Sequence, residues 1–335
     1  MKHKFNYNWN LKDSIFTKDK GKVFSCFACG GGSTMGYKLA GFDVIGHNDI
    51  DKKMIEVYKA NHNPKYSFLE SITTFAKRKD LPKELYNLDI LDGSPPCSSF
   101  SMAGNREKDW GKEKVFREGQ AQQVLDTLFF DFIDLAKELQ PKVVVAENVK
   151  GLLLGVAKEY VIKIYKAFDK AGYYCQHFLL DASKMGVPQR RERVFFICLR
   201  KDLAEPFLHF ADMFTKVPKI EMKFNEKEIP IKEFAKGVTK KETQNYSVQR
   251  FGDVMLDLNK ASNTIATDIN RYWLDENTLI DKQTIHLIGS YPIDYNHLSH
   301  SNPQYLIGMS VPPVMTAQIA TEIYNQWLSK INYSN

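Results

Sequence analysis

The sequence predicts an α/β protein, in which an open parallel sheet is covered by helices and joined to a second, smaller and less regular domain. Three observations support this prediction. Short apolar runs with strand character alternate with amphipathic helical stretches up to about residue 200. Polar residues follow the ends of several runs, as they do where ligands bind at the carboxyl edge of a parallel sheet. Beyond Lys201 the alternation fails, and lysine-rich and aromatic stretches replace it.

The composition is typical of a globular protein from a reducing compartment. The chain has 335 residues, 43% hydrophobic and 26% charged, which is enough for one large core and a smaller domain. Five irregularly spaced cysteines argue against a disulfide framework. We find no run of about eighteen apolar residues and no segment that resembles a signal peptide, so we expect a cytoplasmic protein without a membrane partner. The net charge of +6 permits a polyanionic partner without requiring one.

The first structural unit is a strand, a glycine turn and a helix. We predict these at residues 23–28, 29–33 and 34–40. Such a unit lets the backbone approach a nucleotide-like ligand closely. Cys26 and Cys29 have the two-residue gap of a zinc motif, but no second pair or nearby histidine completes a set of four ligands, so we expect no metal.

The second strand ends in acidic residues. Residues 42–48 predict the strand, and Asp49 and Asp51 follow it. An acidic residue at this distance from a glycine turn is well placed to accept ribose hydroxyls, which we expect of Asp49. Asp51 precedes a helical pattern at residues 52–61, and we predict that it is the N-cap of that helix.

A proline-rich turn after a buried strand carries a candidate nucleophile. Residues 88–92 predict a short strand that ends at Gly93, and Cys97 lies just beyond it, behind Pro95 and Pro96. The prolines stiffen the turn because each fixes φ and lacks an N–H group. A single cysteine in such a turn is compatible both with inert burial and with catalysis, so its interpretation depends on the rest of the chain.

Further polar residues are predicted at the same edge of the sheet. A buried strand at residues 142–146 delivers Glu147 and Asn148 at its carboxyl end. Residues 186–193 concentrate three arginines before another buried strand, where they could bind a ligand, pair with carboxylates or remain solvated. The other elements predicted in this part are helices at 124–139 and 157–170 and strands at 173–180 and 194–199.

Three less regular segments complete the chain. Residues 102–123 are basic, polar and rich in glycine, which is typical of a loop that contacts phosphates and bases or of a solvated loop. Residues 204–297 mix short apolar runs, lysines and aromatics, and we interpret them as the second domain. Residues 308–313 then precede an amphipathic helix at 314–328.

Taken together, these stretches resemble the DNA (cytosine-5) methyltransferases of prokaryotes and phages, in the family's motif order and over nearly the whole chain. Cys29 departs from the family pattern, which has a glycine there, and Met309 stands where asparagine is common. The residues that carry the resemblance are, in motif order, Phe27 with Gly31, Gly32 and Gly36; residues 48–51; Pro96 and Cys97; Glu147, Asn148 and Val149; Gln189, Arg191 and Arg193; and residues 308–313.

The resemblance implies a Rossmann-like, S-adenosylmethionine-dependent methyltransferase sheet with a target-recognition domain. Residues 1–200 would form the catalytic, cofactor-binding domain and residues 201–296 the target-recognition domain. Residues 297–335 would be a C-terminal segment that returns to the catalytic domain. The residues that the resemblance assigns to S-adenosylmethionine are Phe27, Gly31, Gly32, Asp49, Ile50, Ile72, Ser94, Pro96 and Ser310.

The resemblance also implies a mechanism on double-stranded DNA. Cys97 would add to C6 of a flipped-out cytosine, Glu147 would hold N3 and the exocyclic amine, and Arg191 and Arg193 would stabilise the developing charge. We expect Arg191 rather than Arg193 to touch the base. Residues 98–120 would close over the base, and residues 201–296 would read its neighbours in the major groove. A cognate restriction endonuclease could accompany such an enzyme as a genetic partner.

Three alternatives remain open from the sequence alone. A transfer-RNA cytosine-5 methyltransferase could share the catalytic fold, although the sizeable second domain favours duplex DNA. A catalytically silent relative could keep the fold, but Cys97, Glu147 and both motif arginines are present. A redox enzyme with a similar glycine turn would give Cys97 and Glu147 no shared role.

Overall fold

The structure is a computed structural model that describes most of the chain. Side chains are described for residues 3–96, 127–155, 157–211, 215–235, 252–267, 270–275, 278–299 and 302–331, and backbone elements also for 113–114 and 123–124. Cys97 lies outside the described residues, as does most of the segment that we expect to close over the base.

The core of the molecule is a seven-stranded sheet with the order β3-β2-β1-β4-β7-β9-β8. Neighbouring strands from β3 to β7 pair in parallel, whereas β9 runs antiparallel to both β7 and β8. This mixed sheet confirms the α/β class but differs from the all-parallel sheet that the sequence suggests. The strands are β1 (Lys22–Cys26), β2 (Asp43–Asp49), β3 (Tyr66–Leu69), β4 (Ile90–Gly93), the short β5 (Glu113–Lys114) and β6 (Gln123–Val124) outside the sheet, β7 (Val143–Val149), β8 (Tyr173–Asp181) and β9 (Glu192–Arg200).

Helices pack on both faces of the sheet, because alternate residues of its buried strands point to opposite sides. Val144 packs with residues of α4 and α5, whereas Val143 and Val145 pack with residues of α1 and α8. Within the described part of the chain, no helix is both long and apolar enough to cross a bilayer. The helices are α1 (Gly32–Leu39), α2 (Lys52–His62), α3 (Ile72–Phe75), α4 (Leu128–Leu139), α5 (Ala157–Lys170), α6 (Lys282–Ile288), α7 (Pro303–Met309), α8 (Pro313–Ile323) and α9 (Ser329–Ile331).

Local sequence signals place most of these elements. The Asp51 carboxylate accepts hydrogen bonds from the backbone N–H groups of Lys53 and Met54, which confirms it as the N-cap of α2. Helix α5 has the predicted bounds, whereas the helix predicted from residue 124 begins at Leu128. Strand β3 and the single turn of α3 are too short to show a periodic pattern, and the sequence did not predict them.

The described strands after β9 form only small sheets, separate from the main sheet. The pair β10 (Leu208–Phe210) and β11 (Lys216–Pro218) is antiparallel, and β12 (Asp253–Met255), β13 (Arg271–Asp275) and β14 (Thr278–Leu279) form a three-stranded sheet. The segment after β11 packs against α8, since Ile220 and Met222 belong to the same cluster of buried hydrophobic residues as Val314 and Met315 of α8. The division into domains at residues 201 and 296 stays a prediction.

Candidate functional site

A pocket opens at the carboxyl ends of β1, β2 and β4. The chain leaves β1 for β2 on one side and returns to β4 on the other, so this edge is a topological switch point, where open α/β sheets bind ligands. Its lining residues are Phe27, Cys29, Asn48, Asp49, Ile50, Asp51, Met54, Glu70, Ser71, Ile72, Ser94, Pro96, Tyr305 and Met309.

The turn between β1 and α1 forms one wall of the pocket. Phe27, Cys29 and Gly31 have positive φ angles of 52°, 48° and 86°, which fold the chain back within a few residues. The backbone N–H of Cys29 donates to the Asp49 carboxylate at 2.7 Å. The turn is therefore tied to the acidic end of β2.

Asp49 has the environment of a ligand-binding carboxylate. It accepts hydrogen bonds from the backbone N–H groups of Cys29 and Asp51, at 2.7 and 2.8 Å, and it lines the pocket. Burial raises the pKa of Asp49 to about 6, although these two backbone N–H groups act in the opposite direction. Each carboxylate oxygen has further acceptor capacity for hydroxyl groups of a ligand.

The residues assigned to the cofactor from the sequence fall into two groups. Gly31 lies against the ring of His62, and Gly32 lies against Ser310 and the Val311 carbonyl oxygen. Ser310 is engaged within the protein, because its hydroxyl accepts from Tyr291 and donates to the Leu306 carbonyl. These three residues are not among those that line the pocket, whereas Phe27, Asp49, Ile50, Ile72, Ser94 and Pro96 line it.

The structure adds pocket residues that the sequence analysis missed. Tyr305 and Met309 reach the pocket from α7. They are four residues apart and so share one helix face, but only the packing of α7 against the glycine turn shows where that face points. Asn48 also lines the pocket, and its amide donates to the carbonyl oxygens of Phe68 and Glu70.

Beside this pocket, the end of β7 and the start of β9 place a carboxylate next to a cation. Because β9 is antiparallel to β7, Arg193 lies opposite Val149 at the carboxyl edge of the sheet. The Nε of Arg193 lies 3.1 Å from Oε1 of Glu147, and the two side chains are 15% and 13% exposed. Burial lowers the pKa of Arg193, and the charge of Glu147 opposes that effect.

Arg191 lies in a buried position beside the carbonyl oxygen of Gly308. It is 2% exposed, its Nη2 donates to the Gly308 carbonyl at 2.8 Å, and its Nε and Nη1 have no hydrogen-bond partner among the described residues. Burial lowers the pKa of Arg191 to about 9, with the charge of Arg193 acting in the same direction. Arg193 is the arginine that contacts Glu147, and the expectation that Arg191 rather than Arg193 touches the base stays a prediction.

Asn148 links the end of β7 to the proline turn. Its side-chain amide donates to the Pro95 carbonyl at 3.0 Å, and its oxygen accepts from the Val149 N–H. Pro96, the next residue, lines the pocket, and the candidate nucleophile Cys97 follows it directly in the sequence. The pocket, Glu147 and the turn before Cys97 therefore share one edge of the sheet.

Several proteins of similar sequence are known. A type II methyltransferase of Fusobacterium nucleatum, M.FnuDI, is 37% identical over 182 residues, which cover 54% of this chain and 48% of the relative. M.NgoPII, a type II methyltransferase of Neisseria gonorrhoeae, is 37% identical over 186 residues, 56% of this chain and 50% of the relative. The chain thus spans about half the length of the curated relatives it matches.

Solved structures share the fold over most of the chain. A DNMT2 mutant of Spodoptera frugiperda has a TM-score of 0.64 and 18% sequence identity, and the match covers 90% of this chain and 99% of that one. The Dnmt2 methyltransferase of S. pombe has a TM-score of 0.61 and 16% identity, over 91% and 98% of the two chains. At such identities the likeness shows the fold alone.

The family comparison covers more of the chain than the two type II methyltransferases do. The model described as "C-5 cytosine-specific DNA methylase" matches residues 21–305, which include every pocket-lining residue except Met309, the Glu147–Arg193 pair and the turn before Cys97. The chain therefore belongs to the C-5 cytosine-specific DNA methylase family.

Proposed function

We propose that this chain transfers a methyl group from S-adenosylmethionine to C5 of cytosine in a specific sequence of duplex DNA. The observation that carries the proposal is the ion pair between Glu147 and Arg193, at the same sheet edge as Ser94 and Pro96. A carboxyl group, a cation and a thiol, here that of Cys97, are the groups that this reaction needs beside a cofactor pocket.

The hydrogen-bond acceptors and apolar side chains of the pocket support S-adenosylmethionine as its ligand. Asp49 offers carboxylate oxygens for the ribose hydroxyls, and Ile50 and Ile72 offer apolar surface for the adenine ring. Ser94 and Pro96 also line the pocket, and Cys97 follows Pro96 in the sequence. When bound, the cofactor supplies an electrophilic methyl group on its sulfonium sulfur.

Cys97 would activate the base by covalent addition. C5 of cytosine is a poor nucleophile, so the thiolate first adds at C6 and places electron density on C5. The C–C bond to the methyl group then forms at C5 as the bond between the methyl carbon and the sulfonium sulfur breaks, and the neutral thioether S-adenosylhomocysteine leaves. Transfer of the C5 proton to water and departure of the Cys97 thiolate from C6 restore the aromatic ring and free the residue.

Glu147 and Arg193 would stabilise the charge that this addition creates. Negative charge moves to N3 as the thiolate adds, and Glu147, protonated or sharing a proton with the bound base, neutralises that charge at N3. Arg193 is held against Glu147 in a largely buried position, where a fixed cation is more effective than in water. Arg191 would support this arrangement from behind through the Gly308 carbonyl.

The substrate requires that the cytosine leave the base stack, because its reacting atoms are inaccessible inside a duplex. We assign closure over the flipped base to residues 98–120 and sequence recognition to residues 201–296. Both relatives named above are type II methyltransferases, and on that ground we include a cognate restriction endonuclease as a genetic partner in the proposal.

Bisulfite sequencing of DNA from cells that express the chain tests the proposal. We expect protected cytosines in one short sequence context. Cys97→Ala should abolish the protection, because it removes the thiol that adds at C6. The matched control is Cys175→Ala, which removes a buried cysteine from β8 at the far edge of the sheet and should keep the protection.

Purified protein separates the alternatives. Methyl transfer from labelled S-adenosylmethionine should modify duplex DNA and leave transfer RNA unmodified. Transfer to RNA alone would contradict the DNA substrate, and cofactor binding without transfer to either would indicate a silent relative. Retention of activity in Cys97→Ala would contradict the covalent mechanism.

A further inference from the structure

A buried carboxyl group beneath the pocket gathers three hydroxyl groups. Asp92, on β4, is 5% exposed and accepts hydrogen bonds from Ser25 at 2.5 Å, Ser33 at 2.7 Å and Tyr37 at 3.2 Å. Asp92 is not among the residues that line the pocket. It therefore acts on any ligand there through other groups.

The three hydroxyl groups come from both sides of the glycine turn. Ser25 lies on β1, just before the turn, and Ser33 and Tyr37 lie on α1, just after it. Asp92 itself precedes Ser94 by two residues on the neighbouring strand. One carboxyl group thus joins the strand before the turn, the helix after it and the strand that leads to the opposite wall of the pocket.

The chemistry of the position indicates a role other than filling space. Burying a carboxyl group is unfavourable, and an apolar side chain of similar size would avoid that cost. Hydrogen bonds from hydroxyl groups to a carboxylate are short and strong, and three of them restrict the relative movement of the elements that they join. Asp92 also lies near enough to Glu147 for the two carboxyl groups to interact electrostatically.

We propose that Asp92 is a positioning residue for methyl transfer, which holds the glycine turn and the Ser94–Pro96 segment at the separation that S-adenosylmethionine requires. This inference rests on the proposed function. It assigns to Asp92 no contact with the cofactor or the base, because the carboxyl group acts through Ser33 and through β4.

The test compares Asp92→Asn with Asp89→Asn in the full chain. Asp89 is a matched control at the amino end of β4, away from the pocket. It is 8% exposed, accepts from the Lys22 N–H at 2.7 Å and pairs with Lys142 at 2.9 Å. Both substitutions remove a buried, hydrogen-bonded carboxylate, from β4 itself in Asp92→Asn and from the residue before β4 in Asp89→Asn. Both should therefore lower the midpoint of denaturant unfolding.

The dissociation constant of S-adenosylmethionine, measured by calorimetry without DNA, distinguishes the two sites. We expect Asp92→Asn to weaken binding at least tenfold and Asp89→Asn to change it less than twofold. The KM for DNA should stay within twofold for both variants. An unchanged dissociation constant in folded Asp92→Asn would overturn the proposal and leave Asp92 a purely structural residue.

A second variant keeps the test valid if Asp92→Asn does not fold. Ser33→Ala removes one donor to Asp92 and should weaken cofactor binding about threefold. Where both can be purified, the double variant should bind no more weakly than Asp92→Asn alone, because both changes act through one carboxyl group. Wild-type affinity in Ser33→Ala would count against the proposal.

Failure of the positioning role differs from failure of the proposed function. If the wild-type chain binds S-adenosylmethionine and methylates DNA, but neither Asp92→Asn nor Ser33→Ala alters the affinity, only the role of Asp92 is overturned. If the wild-type chain binds no S-adenosylmethionine, the proposed function is overturned and the inference about Asp92 with it.

Discussion

Replacement of Glu147 by glutamine tests the central pair of the proposed active site. The substitution keeps the size of the side chain and removes its charge, so Arg193 remains in a largely buried position without its carboxylate partner. Removing one member of a buried ion pair costs about 3–5 kcal/mol, because the other charge is left without compensation. We expect the free energy of unfolding of Glu147→Gln to fall by about 3 kcal/mol.

A neighbouring ion pair supplies the matched control. Lys150 and Glu192 also join the end of β7 to the start of β9, 2.8 Å apart, but their side chains are 44% and 45% exposed. Exposed pairs contribute about 0–1 kcal/mol, since water screens the charges. Glu192→Gln should therefore lower the free energy of unfolding by less than about 1 kcal/mol, as measured by urea denaturation at pH 7.

The same two variants should differ in catalysis. If Glu147 donates a proton to N3, its replacement by glutamine removes general acid catalysis and lowers the rate of single-turnover methyl transfer about 10²–10⁴-fold. Glu192→Gln should keep the wild-type rate within threefold. Equal stability losses in the two variants, or a Glu147→Gln rate within threefold of wild type, would refute the reasoning.

Three further predictions concern DNA binding, pH dependence and helix packing. Arg190 is exposed and donates to the Asn263 side chain at 2.7 Å. Arg190→Ala should raise the KM for DNA several-fold and reduce the slope of log affinity against log salt by about 1. An unchanged slope would exclude a contact between Arg190 and a DNA phosphate. Because the folded-state pKa of Asp49 is raised to about 6, the native state holds this proton more tightly than the unfolded chain. The free energy of unfolding should then fall by about 2 kcal/mol between pH 4 and pH 6 through this group, and urea denaturation of Asp49→Asn should lack that component. A Cβ at Gly36 would overlap the Pro313 carbonyl oxygen and the Thr316 side chain on α8. Gly36→Ala should therefore lower the unfolding midpoint by an amount equivalent to about 1–3 kcal/mol. An unchanged midpoint would show that α8 can shift to accommodate the methyl group.

The elements that could be predicted from the sequence are those with strong local signals. The N-cap at Asp51 and the bounds of α5 follow from residue type and helical periodicity, which depend on contacts within a few residues. The end of β4 before Cys97 follows from an apolar run bounded by polar residues, whereas β7 continues beyond the predicted end at residue 146, to Val149. These patterns suffice for the α/β class and for most of the candidate site.

The partners of these residues depend on contacts between distant segments. The sequence of β9 does not indicate whether this strand runs parallel or antiparallel to β7. Only the antiparallel pairing of the two strands brings Arg193, rather than Arg191, to Glu147. Likewise, Tyr305 reaches the pocket because α7 packs against the glycine turn.

The sequence by itself thus determined the family, the α/β class and most strands of the main sheet, because local pattern and motif order carry that information. Only the tertiary structure decided which side chains meet. Strand direction, and the gathering of Ser25, Ser33 and Tyr37 around Asp92, follow from the pairing of strands and the docking of helices far apart in the chain. Such contacts are selected by the packing of the whole core and leave no periodic signal in any single segment.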